Sequence, residues 1–443
     1  MRRLSDTKCS LPLLRPVNSH EDGAALIIGL MFLAILALVG STAMVLTSTD
    51  LQIGGNFRVN TQAFNAAQGG LEEARERLKG TSSTPNFVGD PAATPNAWWS
   101  AYIRTDASWQ VSDDPTYDSN YDNNIHDSLQ SDIPYFVKIR HKREYDAEQA
   151  GHTVSSAHYY DGDGATATHT QASPGNIVYY GYGDATDPAK ACQFTGTAGA
   201  GSTPVEIITA YKKSGSEWSK ALELEVVRPI PPPITSTLYS KGDITFNGGG
   251  SQNVYGEDNC GSAGALPPAY TKDPSVSVEN STPDYTGDPA EPVEGSTDID
   301  ISGYLEDMKD SATIIITSDQ NGATYGSSTD FVSCYCDATS LVGGLKLQNV
   351  TGYGVLLVEG DLTLGGGFNW SGIVLVTGTL TFNGGGSGIN IFGAVLANQT
   401  IDINGGLDLR YDSCMISSSF INQPLKSRIW LETSMTMAMS VLE

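Results

Sequence analysis

The sequence predicts an α+β fold: a long N-terminal helix packed on a mostly antiparallel sheet, followed by a C-terminal parallel β-solenoid. Three observations predict it. The stretch Gly23 to Leu46, GAALIIGLMFLAILALVGSTAMVL, has no charged residue in 24 positions and runs on into an amphipathic pattern ending near Leu78. Between residues 135 and 227, short runs alternate apolar and polar residues, the period of a half-buried strand. Beyond residue 240 a glycine-cornered unit recurs four times, as stacked coils require.

The uncharged run exceeds the roughly 20 apolar residues that cross a bilayer core. Past it, Phe57, Phe64, Ala67, Leu71, Ala74 and Leu78 fall at spacings of three, four and seven, while Glu72, Glu73, Arg75, Glu76 and Arg77 fill the other faces. The paired Gly54-Gly55 is the weak point, since each costs about 1 kcal/mol against alanine in a helix. Arg2, Arg3, Lys8 and Arg15 precede the span and only Arg58 follows closely. The positive-inside rule therefore leaves the N-terminus in the cytoplasm and exports the rest.

At 443 residues the chain has room for two or three cored domains. Its 25 basic against 50 acidic side chains give a net charge of −25. Such a surface repels nucleic acid and anionic lipid, which excludes a nucleic-acid partner held by charge. The 48 glycines and 20 tyrosines fit a β-rich extracytoplasmic protein.

Residues 80–130 carry little periodicity, and Trp98, Trp99 and Trp109 are expected to cover the helix. Strand candidates follow at Tyr135 to Arg140, Ile177 to Tyr182, Val205 to Tyr211 and Ala221 to Val227. In the last, Leu222, Leu224 and Val226 alternate with Glu223 and Glu225. Arg228-Pro-Ile-Pro-Pro-Pro reads as a semi-rigid linker. The repeats are GDITFNGGG at 242–250, GDLTLGGG at 360–367, GTLTFNGGG at 378–386 and QTIDINGG at 399–406, with VLLV, IVLV and AVLA at 355–358, 373–376 and 394–397. Each period holds two strands, as in a β-solenoid. The segment 256–350 reads as an insertion with a short helix at Ile301 to Lys309.

Possible sites are few. Cys260 and the pair Cys334 and Cys336 flank the insertion, so a disulfide from Cys260 to one of them is expected, worth up to about 4 to 5 kcal/mol on the chain-entropy model. A metal on Cys334 and Cys336 lacks further ligands nearby in sequence. The run Asp161-Gly-Asp-Gly offers oxygens to Ca²⁺, but the twelfth position is Ala172 where an EF-hand needs glutamate. His141, His152, His158 and His169 are not spaced as zinc-ligand pairs, and surface positions are expected. Neither a cofactor nor a metal is expected.

The run AALIIGLMFLAILALVG after a small residue, then TDLQIGGN, then QAFNAAQGGLEEA, resembles the N-terminal segment of PilX-type minor pilins of the type IV pilus system. The resemblance implies leader cleavage between Gly23 and Ala24, a pilin helix on an antiparallel sheet, and the partners of that family: other pilins, the assembly machinery and the inner membrane. Two departures stand out. Glu21-Asp22 occupy places where pilin leaders carry Lys or Arg, and Ile28 occupies the fifth mature position, a glutamate in major pilins. On this reading the chain divides into a leader (1–23), a transmembrane and amphipathic helix (24–80), an α+β domain (81–230), a solenoid (231–420, insertion 256–350) and a C-terminal tail (421–443). After cleavage five cysteines remain, an odd number, in an oxidising compartment.

The leading function is a minor pilin-like subunit, acting in pilus assembly or at the tip. It would sit in the bacterial inner membrane as a precursor and on the pilus or cell surface when assembled. The acidic, Tyr-rich solenoid would meet a surface ligand or glycan in adhesion. A pseudopilin of type II secretion is the alternative. A membrane-anchored polysaccharide-active β-helix enzyme is a third reading, resting on Asp243, Asp361 and Asp402. No Lys, Arg or His recurs beside them, and aspartates beside glycine corners are ordinary turn chemistry, so a non-enzyme is expected.

Overall fold

The computed structural model describes residues 21–433 apart from 93–94, 131–132, 150–158, 161–168, 182–201, 215–216, 249, 273–275, 280–281, 386–387 and 422. It forms two compact units, Met1–Gln62 and Ala63–Glu443. In the first unit the helix Glu21–Arg77 begins, and every residue from 25 to 62 is exposed, Leu26, Phe32 and Phe57 among them. The hydroxyls of Ser41, Thr42 and Thr47 donate to Leu38 O, Leu38 O and Ala43 O at 2.8–2.9 Å. Polar side chains in the span are thus satisfied by their own helix, as a medium without water requires. The helix passes unbroken through Gly54-Gly55.

In the second unit the last turns of that helix pack on a six-stranded sheet. The strand order is Asn124–Asp127, Ser100–Arg104, Phe136–His141, Glu206–Ser214, Glu217–Val227, Lys426–Thr433. All neighbours are antiparallel except the first two, which are parallel. Ala67, Leu71, Ala74 and Leu78 meet Val137, Ile139, Ile208, Leu222 and Leu224 in one core. A Cβ on Gly70 would lie 2.8 Å from Val137 and 2.9 Å from Tyr135, so this glycine lets the helix sit close to the sheet. Of the three tryptophans only Trp99 joins this core. Trp109 packs with Tyr102 and Phe136 on the opposite sheet face, and Trp98 lies against Tyr121.

Of the strand expected at Ile177 to Tyr182, Tyr179–Gly181 forms, but it pairs with Tyr159–Tyr160 and Ser202–Pro204 in a separate three-stranded antiparallel sheet. The strands from 238 to 410 form two parallel sheets stacked face to face. One holds strands with the order Val276–Glu279, Ile244–Asn247, Ile401–Ile403, Leu380–Asn383, Leu362–Gly365, Leu345–Gln348, Gln320–Asn321. The other runs Asp284–Thr286, Gln252–Tyr255, Leu407–Arg410, Ile389–Ala397, Phe368–Val376, Thr351–Glu359, Val332–Asp337, Ile314–Ile315. Leu362 and Leu364, Leu380 and Phe382, Ile401 and Ile403 point into the shared core, while Thr363, Thr381 and Asp402 point outward. In the apolar runs both faces are covered. Leu356 and Val358 face the sheet-to-sheet core, whereas Val355 and Leu357 pack under helices Ile301–Lys309 and Ser413–Ile421. That is why VLLV, IVLV and AVLA read as unbroken apolar runs and LTL does not. The helix Ile301–Lys309 forms where its pattern places it, with Asp300 accepting from Gly303 N at 2.9 Å and Ile301, Tyr304, Leu305 and Met308 buried.

Two expectations need correction, and the order of the coils is a further finding. Residues 256–350 are not an insertion outside the coils: 269–286 stack on the first coil and 314–348 form coils at the opposite edge. They lack the GDxTxxGGG spelling because other residues turn their corners. The first coil, 238–255, pairs not with its successor in the repeat series but with the last, through Ile244–Ile401 and Val254–Leu409. Finally, 421–443 is not simply a tail. Lys426–Thr433 returns to the six-stranded sheet beside Glu217–Val227, so the stack is inserted between two neighbouring strands of that sheet.

Candidate functional site

The feature that joins helix to body is a buried carboxylate. Glu73 Oε2 accepts from Ser128 Oγ at 2.6 Å and from the Tyr135 hydroxyl, while Oε1 accepts from Leu129 N at 3.0 Å and Arg77 Nη1 at 3.0 Å. Arg77 in turn donates to Asn86 O and Asp127 O, each at 3.0 Å. Burial pushes the Glu73 carboxyl up, but these four donors more than offset it and hold it below the usual glutamate range. The sequence spells this residue as one more glutamate in EEARER. Its position one turn before Arg77 was legible, but its three donors from residues 128–135 were not.

His141, expected at the surface, is 1% exposed. It falls in line with Val137 and Ile139 on the helix-facing side of its strand, because side chains alternate. Its ring lies 5.0 Å from that of Trp99, with Nδ1 2.9 Å from Glu206 and Nε2 3.4 Å from Asp90. Burial pulls the imidazole down, yet the Glu206 charge, aided by Asp90, raises it to about 9. A folded value above the ordinary 6.5 means the stabilisation is complete below pH 6.5 and is lost as pH rises through about 9. The expected result is a loss of up to about 3 kcal/mol between those limits, read as a falling urea midpoint. His141→Gln should flatten that dependence. His169 is held between Glu144 (3.0 Å) and Glu148 (2.6 Å). His152, His158, Asp161 and Cys192 lie outside the described residues.

The cysteine pairing differs from expectation. Cys260 is bonded to Cys414, 154 residues away, and Cys334 and Cys336 are buried free thiols. Both stand on Val332–Asp337 with side chains turned into the core between the sheets, while Cys260 lies in an exposed turn beside Ser413. Two residues apart on one strand, Cys334 and Cys336 share a face, and that face is sealed. Burial pushes their thiols up to about 12 and about 11, so neither is a reactive thiolate. Non-reducing peptide mapping should therefore recover a 260–414 cross-link, with Cys334 and Cys336 alkylated only after denaturation. Protection of Cys260 by Cys334 would contradict this arrangement.

The aspartates proposed for catalysis do not line up. Asp243 and Asp361 each precede the first core residue of their strands, Ile244 and Leu362, but Asp402 follows its counterpart Ile401 and pairs with Thr245 and Thr381. Asp361 Oδ1 accepts from Thr379 N at 2.8 Å, which is the work of a turn residue. Cys260, Asp412 and Cys414 lie within 4.8 Å of one another, but both sulfurs are taken by the disulfide.

The span is one helix long and apolar enough to cross a membrane. Residues 22–72 match the family model described as PilX N-terminal. The chain carries a PilX-type pilin N-terminus. Among curated proteins nothing matches. A solved structure to which the chain is similar is the competence-associated pilin ComZ from Thermus thermophilus, at 8% identity over 84% of this chain and 97% of that chain. The TM-score is 0.18, too low to bear on the fold. In this PilX-type segment the matched residues include Gly23, Ala24 and Ile28 and stop at Glu72, one residue before the Glu73 hub. A pilin segment of this kind points to a pilus-related structural protein anchored in a membrane and associating with other pilins, rather than to an enzyme.

Proposed function

We propose that the chain is a minor subunit of a type IV pilus, acting in assembly or at the filament end, with its stacked sheets forming a displayed β-solenoid for surface adhesion. The observation that carries this reading is the PilX-type segment at 22–72 on a helix whose residues 25–62 are all exposed. An uncovered apolar helix needs lipid before assembly and other helices after it. Ile28 supports a place at an end. A carboxylate there could meet the free amine of a neighbouring subunit, a buried charge with a partner, and isoleucine offers none. The subunit's own amine at Ala24 would still be available to a carboxylate on one side.

Deletion of the gene should reduce piliation, and antibody labelling of sheared pili should mark ends or cell-bound bases. Regular labelling along the shaft would reject the end position, and unchanged piliation with a secretion defect would favour the pseudopilin. Cleavage between Gly23 and Ala24 is expected despite Glu21-Asp22. N-terminal sequencing of membrane-extracted protein should begin at Ala24, and an intact Met1 would reject processing.

A further inference from the structure

The outer face of the longer parallel sheet, before its glycine corner, carries two columns of side chains in register. One runs Asn369, Asn390, Asp408, Asn253, Asp284 across successive coils, and the other runs Tyr353, Ser371, Phe392, Arg410, Tyr255. Residues between the columns, Trp370, Ile391, Leu409 and Val254, are buried in the core, so both columns point away from it. The helices Ile301–Lys309 and Ser413–Ile421 lie on Val355, Leu357, Ile373 and Leu375, past the corner, and Phe392 remains 37% exposed. This face differs from the threonine-lined face of the other sheet by its rings.

The polar column and the Arg410–Tyr255 end of the other column are held in place. Asn390 Nδ2 donates to Asn369 Oδ1 at 2.9 Å, and Asn369 Nδ2 donates to Gly367 O at 3.0 Å. Arg410 donates twice to Asp408, at 2.9 and 3.0 Å, and its guanidinium sits 4.9 Å from the centre of the Tyr255 ring. The Tyr255 hydroxyl lies 3.3 Å from Asp284 Oδ2. A surface whose side chains are already ordered loses little entropy when it binds. Its rings recur on every second coil, which is roughly 10 Å at the 4.7–4.9 Å spacing of paired strands. That interval is close to one disaccharide of an extended β-1,4-linked chain, so one sugar would span about one coil. Amide and carboxylate groups in the parallel column would meet hydroxyls, and ring faces or edges the apolar C–H faces of the sugars. Charge selects further. Arg410 neutralises Asp408 within the strip, and a chain of net charge −25 repels anionic polymers and membranes, while the amides of Asn369, Asn390 and Asn253 suit the hydroxyls of an uncharged chain.

We propose that this strip binds a neutral, extended β-1,4-linked glycan lying along the stack with about one sugar per coil. The proposal rests on the adhesion reading above and names its ligand class. The test is titration of the full chain in detergent with cellohexaose, chitohexaose and, as a coiled α-1,4-linked control, maltohexaose. One or both β-linked hexasaccharides should bind, at least tenfold tighter than the matching disaccharide and the maltohexaose. Phe392→Ala should weaken binding at least tenfold with an unchanged melting temperature, and Asn390→Ala should weaken it as well. No binding by either β-linked hexasaccharide, equal binding of maltohexaose, or an unaffected Phe392→Ala would overturn the proposal. Cells carrying Phe392→Ala should pile as wild type. The pilin reading is judged separately by the deletion, so a failed titration with normal loss of pili on deletion removes the glycan strip alone.

Discussion

Replacing Gly372 by alanine is expected to destabilise the parallel stack by about 3 kcal/mol or more. Gly354, Gly372 and Gly393 pair with one another in register, each at a φ of 127°, 134° and 144° respectively. They stand where each long strand turns from its outward-facing part into its apolar run. An L-residue at such a φ costs on the order of 1–3 kcal/mol. A Cβ at Gly372 would also lie 2.1 Å from the Gly354 carbonyl oxygen and 2.5 Å from Ser419 Oγ. The first of these atoms is backbone in a paired strand and cannot move without breaking its coil. Gly385 is the control: a Cβ there meets nothing within 4 Å and its φ is not in the left-handed region, so Gly385→Ala should change stability by less than about 0.5 kcal/mol. Chemical denaturation of the two variants checks this. Equal stability would mean that the glycine column is not a steric requirement.

Glu73→Ala is expected to cost about 3–5 kcal/mol, the usual range for removing one partner of a buried ion pair. The substitution leaves the Arg77 guanidinium, the Tyr135 and Ser128 hydroxyls and the Leu129 N–H without their shared acceptor. Those groups belong to the helix and to the segment 128–135 that leads into strand Phe136–His141, so the helix end should loosen from the sheet. Limited proteolysis between residues 79 and 90 should accelerate, and Trp99, in the same core, should report it by fluorescence. Glu73→Gln keeps the shape and one acceptor and should cost less. Because Glu73 is held below the ordinary glutamate value, its contribution is present at neutral pH and is lost as pH falls through that lowered value. If Glu73→Ala leaves both unfolding and proteolysis unchanged, the helix is held by its apolar contacts alone.

Much of the architecture was legible where a pattern is local. The span, the buried stripe from Ala67 to Leu78, the part of strand Glu217–Val227 from Ala221 onward and the helix Ile301–Lys309 all follow from spacing of apolar residues. Strands Ser100–Arg104 and Asn124–Asp127 were missed because four of the five residues of the first are buried, and the second is a short edge strand. Neither shows an alternation. His141 was misread for a related reason: a histidine looks polar in a sequence, but its place on the strand, two past Ile139, put it inside.

By itself the sequence determined the period of the coils and the family of the N-terminal segment, whereas the burial of VLLV, IVLV and AVLA on both faces became visible only with helices Ile301–Lys309 and Ser413–Ile421 in place. The period and the family each depend on residues within one turn, one strand or one repeat of each other. Only the tertiary structure decided that coil 238–255 stacks on coil 389–410, that Cys260 meets Cys414 and that Lys426–Thr433 completes the first sheet. These are choices among many pairings of similar local energy. Parallel strands accept any neighbour of matching register, and a cysteine bonds whichever partner the chain delivers within reach, so the packing of the whole body selects among them.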